Sequence, residues 1–79
     1  MDRIISQFDE IYGPGKGVGI YTTVMPGILS DFNRMLDKAG PGEKISEQYN
    51  TEDRRAVITV TGTKSANGQN EINMKVTRT

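Results

Sequence analysis

Between Asp2 and Tyr12 the apolar residues Ile4, Ile5, Phe8, Ile11 and Tyr12 recur at the spacing of one helical face, while Arg3, Ser6, Gln7, Asp9 and Glu10 fall on the other. The pattern predicts an amphipathic helix, with Asp2 placed to cap its start and Gly13-Pro14-Gly15 to stop it. From Gly17 to Val24 the period falls to 2: Val18, Ile20, Thr22 and Val24 point one way and Gly19, Tyr21 and Thr23 the other. Alternation of β-branched residues predicts a strand with a bare glycine end.

A second helix is expected to enter at Met25-Pro26-Gly27, since proline fits a first helical turn where its missing N–H is not needed. Ile28, Leu29, Phe32, Met35, Leu36 and Ala39 form its apolar stripe, and Gly40-Pro41-Gly42 ends it. The last half returns to period 2. Ile45 with Tyr49 marks a polar strand, and Asn50 to Asp53 a turn. Arg55 to Thr63 then sets Ala56, Ile58 and Val60 against Val57, Thr59 and Thr61. Asn67-Gly68 is a hairpin pair, and Ile72, Met74 and Val76 alternate with Asn73, Lys75 and Thr77 in the final strand.

The expected fold is α+β in the order α-β-α-β-β-β, a single small domain over residues 1–79. Two helices cover one face of a four-stranded mixed sheet that ends in an antiparallel meander. The inward set is Ile4, Ile5, Phe8, Ile11, Val18, Ile20, Val24, Ile28, Leu29, Phe32, Met35, Leu36, Ile45, Ile58, Val60, Ile72, Met74 and Val76. The opposite sheet face shows Ser46, Gln48, Val57, Thr59, Thr61, Asn73, Lys75 and Thr77, polar enough to stay wet.

Composition narrows the chemistry. The 79 residues hold 10 Lys+Arg and 10 Asp+Glu, with no His, Cys or Trp. Disulfides are excluded, and a structural zinc site lacks its usual ligands, so no metal and no cofactor is expected. With neither His nor Cys to titrate or attack near neutral pH, Ser6, Ser30, Ser46 and Ser65 have no base beside them in the usual sense. The carboxylate pairs Asp9/Glu10, Glu52/Asp53 and Asp31/Asp37 fit polar faces and turns. A non-enzymatic protein is expected. Zero formal charge argues against a nucleic-acid binder even though Arg54, Arg55, Lys64, Lys75 and Arg78 could gather on the meander. No apolar run reaches signal-peptide or membrane-span length, so a cytoplasmic protein is expected.

A chain this short buries only roughly 60% of its unfolded surface, which favours a homo-oligomer or a protein partner. Sheet edges are natural docking sites because their N–H and C=O groups are unpaired. Lys75 reads as a guard on the last strand, whereas the Gly17 to Val24 strand has none. Val18, Ile20, Tyr21 and Met25 are therefore the expected interface. The profile fits a small protein-binding inhibitor or modulator that acts by surface occlusion, of the kind viruses and phages direct at host proteins in the host cytoplasm. The alternative is a phosphate- or nucleotide-binding protein. It would use Gly15, Lys16, Gly17 and Gly19, where alternate glycines allow an anion close to backbone N–H groups and Lys16 supplies charge. That segment lacks Walker spacing and lies between a helix and a strand, the reverse of the usual order.

Overall fold

A computed structural model describes residues 2–67 and 69–79. Helix α1 spans Asp2–Tyr12 and helix α2 Gly17–Lys38; strands β1 (Lys44–Asn50), β2 (Ala56–Thr63) and β3 (Glu71–Arg78) follow. The strands form an antiparallel sheet in the order β1-β2-β3. The molecule is therefore α-α-β-β-β with a three-stranded sheet, and the expected four-stranded mixed sheet is corrected.

The correction rests on Gly17 to Val24, which is the first part of α2 and not a strand. Gly17, Tyr21, Val24, Met25, Ile28, Phe32, Met35 and Leu36 continue one helical stripe in a single phase across Pro26, and burial along that stripe outweighs the β propensity of Val18, Ile20, Thr22 and Thr23. Pro26 sits inside the helix. It forfeits the N–H that would bond the Thr22 carbonyl, but Thr22 and Pro26 are both exposed, so water reaches that carbonyl. Thr22 and Thr23 hydroxyls donate to the Val18 and Gly19 carbonyls of the turn before.

Two glycines let the layers approach. Gly17 is buried where α2 starts over α1, and a Cβ there would drive into the Ile5 carbonyl and the Asp9 carboxylate. Gly62, next to the C-terminal end of β2, faces Phe32, and a Cβ there would lie 2.5 Å from its ring. The core between helices and sheet is Phe8, Ile11, Met25, Ile28, Phe32, Leu36, Ala56, Ile58, Val60 and Val76. Of the expected inward set, Val18 is the exception: it is 55% exposed on the first turn of α2. Met25, expected at an interface, is buried instead.

The outer face follows from the register. Ser46, Thr61 and Asn73 lie side by side, as do Gln48, Thr59 and Lys75, and Asn50, Val57 and Thr77. Among the described residues no helix covers this face, in keeping with its polar side chains. The hairpin expected at Asn67-Gly68 and the cap expected from Asp2 involve Gly68 and the Asp2 side chain, which lie outside the described residues.

Candidate functional site

The α1–α2 connection and the β1–β2 turn face each other across an open groove of about 930 Å³. Its walls include Tyr12, Gly15, Lys16, Gly19, Ile20 and Val24 on the helical side and Thr51 to Asp53 on the other. Three of the four residues expected to hold an anion, Gly15, Lys16 and Gly19, are thus brought together, with Ile20 beside them. Gly17 is not among them. Its N–H, the first free donor of α2, is taken at 2.6 Å by the Asp9 carboxylate from the neighbouring helix. A carboxylate already occupies the place where the helix N-terminus would attract an anion.

The far wall of the groove is a polar clamp. Asp53 Oδ1 accepts from the Tyr12 hydroxyl (2.7 Å), the Thr51 hydroxyl (2.8 Å) and the Arg55 N–H (3.1 Å). Those donors, the Tyr12 bond first, hold the Asp53 carboxyl below its ordinary pKa. Burial, with the adjacent Asp53, raises Tyr12. Arg55 lays its guanidinium 4.7 Å from the Tyr12 ring centre and donates to the Ile11 carbonyl. Thr51, a buried polar residue, accepts the Ala56 N–H as well. These bonds lock the β1–β2 turn onto the last turn of α1.

Three of the five cations expected to gather on the meander, Arg55, Lys64 and Arg78, reach back to the helices. Arg55 and Arg78 donate to the Ile11 and Glu10 carbonyls at the end of α1, and Lys64 donates to the Leu36 carbonyl at the end of α2. Positive charge from the sheet thereby caps the negative end of each helix.

The sheet has two edges, and they differ. At β3 the Val76 N–H points away from β2 and donates to Gln7 Oε1 on α1 at 2.6 Å. That bond sets the phase of the ladder: through the register, Ala56, Ile58, Val60 and Gly62 bond β1. The Thr51 N–H to Ala56 and Lys64 N–H to Glu43 bonds agree. Lys44, Ser46, Gln48 and Asn50 therefore turn their N–H and C=O groups outward from β1. Among the described residues no backbone group bonds them there, and all four are exposed. Lys75 is exposed on the outer face, while α1 meets the β3 edge at Val76, through Gln7.

Along its helix-covered face the β1 edge is flanked by α2. Tyr49 donates to the Asp31 carboxylate at 2.7 Å in the middle of this seam. Burial first, then the bond to that carboxylate, pushes the Tyr49 hydroxyl far above its ordinary pKa. Beyond it, Met35, Lys38 and Ala39 of α2 meet Glu43, Ile45, Ser46 and Glu47 around a second hollow of about 410 Å³. Strand addition at β1 was not legible while Gly17 to Val24 counted as a strand. The signal lay in Glu47, an ionisable residue on the core-facing phase of Ile45 and Tyr49, a pattern that belongs to an edge. No family model matches this chain, and no curated protein or solved structure was found to be similar to it.

Proposed function

We propose that this protein is a non-enzymatic protein-binding module that accepts an extended segment of a partner protein on the open edge of β1. The observation that carries the proposal is the asymmetry of the edges: Gln7 of α1 takes the outward Val76 N–H of β3, whereas among the described residues no helix side chain takes an outward N–H of β1 along the seven residues from Lys44 to Asn50. Main-chain bonds to such an edge supply affinity, and pockets for alternate side chains supply selectivity. Binding there hides the partner's strand from other molecules, which is the surface-occlusion mode of an inhibitor or modulator. A different chain suits this edge better than a second copy, because two-fold pairing centred on Glu47 sets two carboxylates directly opposite each other.

The interface expected at Val18, Ile20, Tyr21 and Met25 rested on a strand edge that is helix, and Met25 is buried. Ile20, with Val24, remains relevant as the groove wall at the Asn50 end of the β1 seam. A phosphate or nucleotide held by Gly15, Lys16 and Gly19 has the shared groove in its favour and the Asp9 carboxylate on the Gly17 N–H against it.

The experiment is a selection of random seven-residue segments displayed on phage against the folded protein, counter-screened on Gln48→Pro. That variant removes an outward N–H not used in the β1–β2 ladder, the placement in which a strand tolerates proline. Selected segments that lose binding to Gln48→Pro support the proposal. Segments that bind both proteins equally contradict it.

A further inference from the structure

The hollow beside β1 gives the partner segment a chemistry. Building on the strand-addition reading, we infer that the added strand carries a lysine or arginine opposite Glu47, flanked two residues away on either side by apolar residues, and that this basic side chain fills the hollow between α2 and β1.

Glu47 lies opposite Val60, which in turn lies opposite Met74. Residues directly opposite in an antiparallel ladder share a face, and Val60 belongs to the core. Glu47 therefore stands on the helix-covered face, between Ile45 and Tyr49, which are half-buried there. A strand hydrogen-bonded to Ser46 and Gln48 would send alternate side chains to this same face. They would meet Ile45, Glu47 and Tyr49 in turn.

The hollow fits a long side chain with an apolar stem and a cationic head. Met35, Ala39 and Ile45 offer apolar surface to the stem, and Glu43 and Glu47 stand at the rim. One Glu43 oxygen accepts the Gly40 N–H at 2.9 Å, and a Glu47 oxygen rests 3.4 Å from the Gln48 N–H, long for a hydrogen bond. Among the described residues neither carboxylate is in an ion pair. Among the described residues Lys38 is the one cation lining this hollow, so its lining carries two acidic groups against one basic group. Lysine and arginine lay their methylene stems on apolar surface and keep the charge at a polar rim. An apolar residue in the same place would satisfy the floor but leave the carboxylates without a counter-charge, and an acidic residue would be repelled.

Glu47 also explains why the open edge need not join to itself. An inward-pointing charge on an edge strand is a known protection against self-pairing, and here the same charge selects a basic partner. Exclusion of self and recognition of the partner come from one residue.

The test is calorimetric titration with three synthetic peptides of alternating threonine and valine, identical except for lysine, leucine or glutamate at the central inward position. Each is titrated into the wild-type protein, Glu47→Lys and Gln48→Pro. Folding of each variant is checked by its amide fingerprint, which is expected to persist because both positions are exposed. The expected result is that the lysine peptide binds at least tenfold more tightly than the glutamate peptide, with leucine between them. Glu47→Lys reverses that order, and Gln48→Pro abolishes binding of all three. Equal binding of the three peptides to the wild type, lost in Gln48→Pro, overturns the basic-residue inference while strand addition stands. Binding that survives Gln48→Pro, or whose central amide tolerates N-methylation unchanged, overturns strand addition itself, and so does a failure of all three peptides to bind.

Discussion

The two edges of one small sheet have opposite fates. At β3 a glutamine from α1 accepts an edge N–H and Arg78 ties the strand's end to the Glu10 carbonyl. At β1 the link to a helix among the described residues is one side-chain bond, Tyr49 to Asp31, and the main-chain groups of Lys44, Ser46, Gln48 and Asn50 turn outward. The difference comes from helix placement: α1 packs against β3, while α2 packs against β1 and β2. A single amide thus ties one outward N–H of β3 to a helix, and the β1 edge, without such a tie, carries a charge in Glu47 that disfavours self-pairing.

The largest expected effect is loss of the layer beneath both edges. Gly62→Val forces a side chain into the Phe32 ring, and Phe32→Ala removes the fully buried ring itself; the latter is expected to cost about 3–5 kcal/mol. Either variant, followed by urea unfolding with circular dichroism, is expected to show a lower midpoint or no folded baseline. Gln7→Ala uncovers the outward Val76 N–H of β3. Its expected cost is about 1 kcal/mol, and amide exchange at Val76 should rise toward the rates at Ser46 and Gln48.

The links of β1 and of the turn carry pH signatures of opposite sign. The Tyr49 pKa is raised in the folded protein, so its contribution is complete below the unfolded value of about 10 and is lost as pH rises through the folded value. Tyr49→Phe is expected to flatten the alkaline limb of the stability profile. The Asp53 pKa is lowered, so its contribution is present above the unfolded value of about 3.9 and is lost as pH falls through the folded one. Tyr12→Phe removes the strongest cause of that shift and is expected to shallow the acid limb. Denaturant midpoints collected across pH measure both. The smallest effect concerns the turn that locks α1 to the sheet: Arg54 has φ 60°, a left-handed conformation that costs a branched or long side chain roughly 1–2 kcal/mol. Arg54→Asn is expected to recover a fraction of that and to raise the melting temperature slightly.

The sequence made α1, the C-terminal half of α2 and the antiparallel meander legible because in each the apolar period is unmixed: Phe8 with Ile11, Phe32 with Leu36, and Ile58 with Val60. Gly17 to Val24 was ambiguous because five of its eight residues are β-branched, so alternation and helical phase coexist there. Pro26 then read as a helix start, although on an exposed face a proline is tolerated inside one. Gly17 illustrates the cost of that misreading. Its importance is the close approach to Ile5 and Asp9, a contact between two helices that no local pattern contains. The β1 edge was hidden for the same reason, since placing a fourth strand moved attention from Ser46 and Gln48 to a segment that has no edge.

The most direct test of the central claim is amide hydrogen exchange by NMR at two protein concentrations. The account predicts fast exchange at Ser46 and Gln48, slow exchange at Glu47, Tyr49 and Val76, and no dependence on concentration. Protection of Ser46 and Gln48 that grows with concentration would mean that β1 pairs with a second copy, and would contradict an edge kept open for a different chain.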